Sequence, residues 1–287
     1  MKSLFDVPAP AKLNLFLHVT GRREDGYHLI QSAFVLIDWC DTLHFELRRD
    51  GAISREDLTT PLPAEDLIVR AAKALQAATS TRHGVHVSIE KNVPAQAGMG
   101  GGSSDAASCL LALNRLWRLG LSIGQLSGIG LSLGADVPFF LSGRNAWVQG
   151  VGDDITPIDV PSARYLIVKP ADGLLTGQIF KDPDLKRDTQ TAIISGFAAD
   201  PQGFGRNDLQ AVAQRYCPGV ARALDWLAAN GLEGRMTGSG SAVFASTLSE
   251  VALREAPPDF QVRWCSGLDV HPLMGWAPSD GLTVGGD

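Results

Sequence analysis

The segment N-V-P-A-Q-A-G-M-G-G-G-S-S-D-A-A, residues 92–107, governs how the rest of the chain is read. Gly98, Gly100, Gly101 and Gly102 stand just before Ser103, Ser104 and Asp105, followed by a run in which Ala106, Leu110, Leu113 and Trp117 recur at helical spacing. Glycine reaches positive φ and has no side chain to hold a ligand away, so successive backbone N–H groups can converge on an anion. Ser103, Ser104 and Asp105 are N-cap residue types, which places the predicted helix start among them. A glycine loop opening a helix offers unpaired amides and the positive end of the dipole to a phosphate. A plain capping turn needs one or two glycines, so four predict a phosphate site.

The spacing separates this loop from the common phosphate loops. A Walker A loop requires G-x-x-x-x-G-K-[ST], and no lysine follows these glycines. A dinucleotide fingerprint starting at Gly98 needs Gly or Ala where Ser103 stands. The H-R-D and D-F-G motifs of protein kinases do not occur, and the loop itself holds no G-x-S-x-G.

Working outward, 287 residues with 45% hydrophobic and 20% charged content predict a soluble globular protein of one large or two ordinary domains. A net charge of -6 argues against a nucleic-acid surface built on phosphate neutralisation. It leaves room for a nucleotide held by amides and one or two lysines. Cys40, Cys109, Cys217 and Cys265 are scattered, which predicts reduced thiols and a cytoplasmic location. The N-terminus lacks a signal-type apolar core, and no apolar run reaches the length of a membrane span.

Residues 11–19 alternate as a strand, with Leu13, Leu15, Leu17 and Val19 on one face and Lys12, Asn14, Phe16 and His18 on the other. Lys12 and Asn14 project together, either as a solvated face or toward a ligand. Asp25-Gly26 predicts a turn that leaves Tyr27 and His28 at a sheet rim, where an aromatic ring suits stacking on a flat base or packs beneath the turn. Residues 31–38 and 41–47 read as two strands with Trp39-Cys40 between them, and residues 62–78 as a helix entered at Pro63. His83 and His86 form an H-x-x-H read as strand surface. After the loop helix, residues 126–133 continue, and L-G-A-D-V-P puts Asp136 between a glycine turn and apolar Phe139 and Phe140. That aspartate either bonds its own turn or, held opposite a lysine, acts as a base. Residues 147–156 end in turn chemistry at a domain boundary, and residues 164–169 form a buried strand. M-T-G-S-G-S-A-V-F-A at residues 236–245 is a second glycine turn leading into a strand, and the Gly-rich tail from residue 277 is expected to be mobile.

Taken together, P-A-K-L-N-L at residues 10–15, the 92–107 loop and the 236–245 turn resemble the three motifs of the GHMP kinase superfamily. That superfamily includes galactokinase, homoserine kinase and mevalonate kinase, whose loop wraps ATP without a P-loop lysine. With T-G-R-R-E-D-G-Y-H added, the chain resembles the branch of 4-diphosphocytidyl-2-C-methyl-D-erythritol kinases in the non-mevalonate route to isoprenoids. The resemblance implies an α+β fold of two domains. An N-terminal ATP-binding domain (ribosomal protein S5 domain 2-like) would span 1–157 and a C-terminal ferredoxin-like domain 158–287, with the site in the cleft. It implies ATP and Mg²⁺ as cofactors and transfer of a phosphoryl group to the 2-hydroxyl of the methylerythritol unit. Lys12 and Asp136 take the catalytic roles. Pro94, Ala95, Gln96, Ala97, Gly98, Met99, Gly100, Gly101, Gly102, Ser103 and Ser104 hold the nucleotide. Asn14, Tyr27, His28, Thr176 and Phe180 hold the substrate, the cytosine lying between Tyr27 and Phe180. Metal ligands are not assigned. Asp66 stands where relatives place an asparagine near adenine, Gly177 where many have proline, and Asn207-Asp208-Leu209 matches their N-D-L. The implied partners are small molecules, with no nucleic acid or membrane, and the chain is expected as a monomer or weak homodimer. A kinase for another small alcohol, of homoserine or mevalonate type, and a non-catalytic nucleotide-binding regulator are the alternatives.

Overall fold

The computed structural model describes residues 2–280. Two long antiparallel strands, β1 (Ser3–Arg22) and β2 (His28–Arg48), turn at Gly26 and form its backbone. The two strands expected at 31–38 and 41–47 are thus one. Trp39 is fully buried there, with its indole N–H donated to Asn92 O at 2.9 Å, so Trp39-Cys40 is no turn. β1 carries Pro8 and Pro10, which lack donors and fit an edge strand. Its free edge is instead covered by loops: Lys12 N donates to Met99 O at 3.0 Å and Leu17 N to Arg206 O at 2.9 Å.

β3 (Ile53–Asp57) precedes α1 (Leu67–Thr79). The helix begins five residues later than expected, because Arg55 engages the carbonyls of Leu62 and Pro63 and holds them outside it. Asp66 caps it, accepting from Val69 N at 3.0 Å. β4 (Gly84–Glu90) leads to α2 (Gly101–Leu116), α3 (Ile123–Leu131) and the short α4 (Val137–Ser142). β5 (Ala146–Gln149) and β6 (Asp154–Pro157) close the first half as a hairpin. The second half holds β7 (Arg164–Pro170), the short α5 (Thr176–Lys181) and α6 (Ile194–Ala199), α7 (Gln210–Tyr216), α8 (Pro218–Ala229), β8 (Gly234–Met236), β9 (Val243–Thr247) and β10 (Phe260–Leu268).

The four strands of the second half lie in the order β10-β7-β9-β8, all antiparallel, which is the ferredoxin-like order. The connection from β9 to β10 carries no helix. β10 also pairs with β2 at Gly267–Ile37 and Leu268–Leu36, so one sheet runs through both halves. One core lies under α1, α2 and α4, and another under α7 and α8. Between the halves, Leu13, Leu15 and Phe16 of β1 and Trp39 and Trp147 meet Tyr165, Ile167 and Phe244. Burying such a side chain contributes roughly 1.5–3 kcal/mol, so this middle layer is a substantial joint.

The second face of β1 is not solvated either: Lys12, Asn14, Phe16 and His18 are all buried, with Lys12 over the Phe34 ring, Asn14 bonded to Ser32 and Thr237, and Phe16 and His18 packed on Phe204. After β10 the chain returns to the first half, where His271 N donates to Gly143 O at 2.8 Å and Ile123 N to Pro278 O at 3.0 Å. The expected mobile tail is therefore packed as far as Asp280, which accepts from Ser122 Oγ at 2.5 Å. Its remainder, from residue 281, lies outside the described residues.

Candidate active site

The glycine loop enters α2 with Gly98 at φ 72° and Gly100, the N-cap, at φ 69°. The helix therefore opens three residues before the expected serines. No side chain caps it, so the first amides face outward, as an anion requires. Ser104 lies inside the first turn, its hydroxyl donating to Pro10 O at 2.6 Å, and Ser108 reaches Pro8 O at 2.8 Å. These two hydroxyls fasten the helix to β1 and pin the loop beside Lys12.

The loop between β8 and β9 backs the glycine loop from the other half. Ser241 N donates to Gln96 O at 3.1 Å and Ala242 N to Ala97 O at 3.2 Å. Asn207 Nδ2 donates to Met236 O at 2.7 Å and Gly238 O at 2.8 Å, holding the second loop in shape. Leu209, not Asn207, is the N-cap of α7, so Asn207 serves that loop.

Lys12 is only 4% exposed. Its ammonium donates to Asn14 Oδ1, lies 3.7 Å from Asp136 Oδ2 and sits 4.6 Å from the Phe34 ring centroid. Burial lowers its pKa, and the neighbouring Asp136 carboxylate pulls it back up. Asn14 is fixed in turn: its Nδ2 donates to Ser32 Oγ at 2.8 Å, and its backbone N–H to Thr237 Oγ1 at 2.9 Å. Asp136 stands at the N-terminus of α4 without capping it, and its side chain is 31% exposed. The carboxylate is thus spent neither on its turn nor on burial; it is open to the cleft and faces a cation.

A cavity of about 1050 Å³ contains Lys12, Asn14, Tyr27, His28, Asp136, Thr176, Phe180 and every residue from Pro94 to Ser103 in its walls. Of the residues expected at the site, Ser104 alone is not in those walls. At the far end Phe180 packs on His28, with ring centroids 5.0 Å apart and planes at 37°. Tyr27 stands 66% exposed on the rim. Thr176 and Ser239 hydroxyls are 2.7 Å apart, which ties α5 to the second glycine loop. Asp66 also lines the cavity, although its carboxylate caps α1 and pairs with Arg55 at 2.5 Å.

Several residues at the site carried no legible signal. Ser32, Phe34 and Arg187 are single residues in ordinary strand or loop sequence, placed by the fold. Lys91, in the cavity wall, donates to Asp41 and, at 2.7 Å, to Asp105, both buried beside the first turn of α2. Gly130 to Gly134 has nucleophile-elbow spacing, but Ser132 ends α3 with its hydroxyl on Ile129 O at 2.7 Å. His83 and His86 do not line the cavity: His86 Nδ1 is 2.9 Å from Ser54 Oγ, and no metal-binding cluster of His, Cys, Asp or Glu occurs among the described residues.

Family profiles described as the GHMP kinases N terminal domain and GHMP kinases C terminal match residues 66–144 and 195–256. A protein named 4-diphosphocytidyl-2-C-methyl-D-erythritol kinase from Albidiferax ferrireducens is 71% identical over 285 residues, covering 99% of each chain. The chain belongs to that kinase family, within the GHMP kinases. The protein of the same name from Variovorax paradoxus is 62% identical, over 96% of this chain and all of its own. A crystal structure of a 4-(cytidine 5'-diphospho)-2C-methyl-D-erythritol kinase superimposes with a TM-score of 0.73 at 30% identity, covering 92% of this chain and 99% of that one. Homoserine kinase from Cytophaga hutchinsonii, at a TM-score of 0.66 and 16% identity over 87% of this chain and 86% of its own, shares the fold.

Proposed function

We propose that the cleft transfers the γ-phosphoryl group of ATP to the 2-hydroxyl of 4-diphosphocytidyl-2-C-methyl-D-erythritol, in the methylerythritol phosphate route to isoprenoids. The observation that carries this reading is the juxtaposition of the exposed Asp136 carboxylate, the buried Lys12 ammonium and the uncapped start of α2 in one cavity. Phosphoryl transfer rests on positioning and charge stabilisation. The amides of Gly101, Gly102 and Ser103 hold phosphate oxygens, and Asp136 receives the hydroxyl proton. Lys12, steadied by Asn14, faces the Asp136 carboxylate and offsets charge on the travelling group. Tyr27, His28 and Phe180 hold the cytosine, and Thr176 closes the strap against the second loop. Pro94, Ala95, Gln96, Ala97, Gly98 and Met99 form the nucleotide side of the wall.

The Ser103 hydroxyl in the cavity wall suits Mg²⁺, which takes one or two protein oxygens besides phosphates and water. Bound there, Mg²⁺ would neutralise phosphate charge. The cavity is complete within one chain, which supports a monomer or weak homodimer. Four free cysteines, and no helix among the described residues long and apolar enough to cross a membrane, support a cytoplasmic location. The gap between β6 and β7 supports a domain division at 157/158.

The test is Asp136→Asn. General-base catalysis contributes about 10²–10⁴-fold, so kcat should fall by about 10³-fold while ATP still binds, measured by coupled assay and calorimetry. Turnover within tenfold of the parent would refute Asp136 as the base. The base-binding end distinguishes the substrate: phosphorylation of homoserine or mevalonate in preference to the cytidyl compound would favour the other alcohols.

A further inference from the structure

Arg187 lies in D-P-D-L-K-R-D-T, a polar stretch after α5, and its five donors are all directed inward. Four meet carbonyls of its own strap: Phe180 O at 3.2 Å, Asp182 O at 2.7 Å, Leu185 O at 2.9 Å and Pro183 O at 3.5 Å. The fifth, Nε–H, donates to His28 Nε2 at 3.0 Å. A guanidinium does not lose its proton, so His28 Nε2 must accept. The neutral ring then carries its proton on Nδ1, which has no side-chain partner among the described residues.

We infer that Arg187 is a positioning residue that fixes His28 as the Nδ1–H tautomer, so that the base end of the cleft offers a donor to the acceptor edge of a pyrimidine. The inference rests on the reading of that end as the cytosine site. The same guanidinium ties Phe180 to His28, joining the strap to the rim of the sheet. The cationic groups acting on the ring are Arg187 from the strap and Arg22 from β1, with Asp25 and Lys181 also in the cavity wall. Burial first, and then both arginines, disfavour the imidazolium and hold the pKa of His28 below its ordinary value.

The experiment uses the full chain labelled with ¹⁵N, His28 being assigned by loss of its signals in His28→Asn. Long-range ¹H–¹⁵N spectra should show a neutral, Nδ1-protonated ring at pH 7. In Arg187→Met the unconstrained ring favours Nε2–H, turning Nδ1 into an acceptor that meets the acceptors of the base. KM for the cytidyl substrate should rise about tenfold at pH 8, with KM for ATP unchanged within about twofold. At acid pH the variant ring protonates and regains Nδ1–H, so its KM relative to the parent should fall back. A purely structural role would give no such acid recovery. An Nε2–H ring in the parent, or an Arg187→Met defect that is independent of pH and shared with ATP, overturns the proposal. Should the variant not fold, the parent tautomer decides. If the parent instead fails to turn over the cytidyl substrate, it is the substrate reading that falls, and the tautomer remains measurable.

Discussion

Lys91 shows how a buried charge is shared at the foot of the phosphate loop. Its ammonium lies between Asp41, which also accepts from Asn92 N at 2.6 Å and Val93 N at 2.8 Å, and Asp105, whose Oδ1 has no partner among the described residues. One cation cannot hold two buried carboxylates ionised. Burial pushes Asp105 up to about 8, with Asp41 adding to the rise and Lys91 opposing it, so at neutral pH this carboxyl largely keeps its proton. Asp105→Asn should therefore cost under about 1 kcal/mol, whereas Asp41→Asn, which weakens the contact with Lys91 and disturbs two amide bonds, should cost about 3 kcal/mol. The pH sign follows from the same shift. A carboxyl with a raised folded pKa favours the fold at low pH, and that contribution is lost as pH climbs from about 4 through about 8. Denaturant unfolding at pH 5 and pH 8 should show Asp105→Asn gaining on the parent with rising pH. A gap that stays constant would mean Asp105 is ionised throughout.

At the scale of elements, the returning segment after β10 is held by a histidine that burial keeps neutral until well below its ordinary range. His271 Nδ1 accepts from Leu273 N at 3.0 Å, and burial brings its pKa down to about 4. A depressed histidine contributes stability above its unfolded pKa of about 6.5 that is lost as pH falls toward 4, on the order of 3 kcal/mol in all. His271→Asn keeps an acceptor for Leu273 and removes the titration, so its unfolding free energy should fall less steeply between pH 6.5 and 4. Equal slopes in the two proteins would assign the acid limb elsewhere. This segment also marks where sequence patterns stop informing. The glycine loop, the helix behind it and the strand carrying Lys12 and Asn14 were all legible, because turn chemistry and periodicity are local. The alternation in β1 could not tell that its polar face is covered, since Thr237, which meets Asn14, and Phe197 and Phe204, which pack on Phe16, lie some 180 positions or more away along the chain. For the same reason Ser103, Ser104 and Asp105 read as caps: nothing local reveals that Ser104 is engaged by Pro10, leaving Gly100 to open the helix. Arg187 had no periodicity or motif to single it out.

For the molecule as a whole, the site exists only while the two glycine loops stay interlocked. A Cβ on Gly98 would lie 2.2 Å from Thr237 O and 2.8 Å from Gly240 N, and one on Gly238 would lie 2.6 Å from Gly98 O. All three contacts are to backbone, so no rotamer can relieve them. Gly98 also stands at φ 72°, where a side chain is strained even in open space. Gly98→Ala should therefore force the halves apart at this joint, displacing the amides of α2 relative to Asn14, whose backbone N–H is bound to Thr237. We expect a loss of about 3 kcal/mol in stability and a drop of about 10²-fold or more in kcat/KM. Gly102→Ala separates this effect from the mere presence of a methyl group. Its Cβ would meet only Leu67 Cδ1 at 3.4 Å, so its melting temperature should stay near that of the parent. If Gly98→Ala melts and turns over like the parent, the halves tolerate separation at the loops, and the middle core rather than the glycine interlock sets the geometry of the cleft.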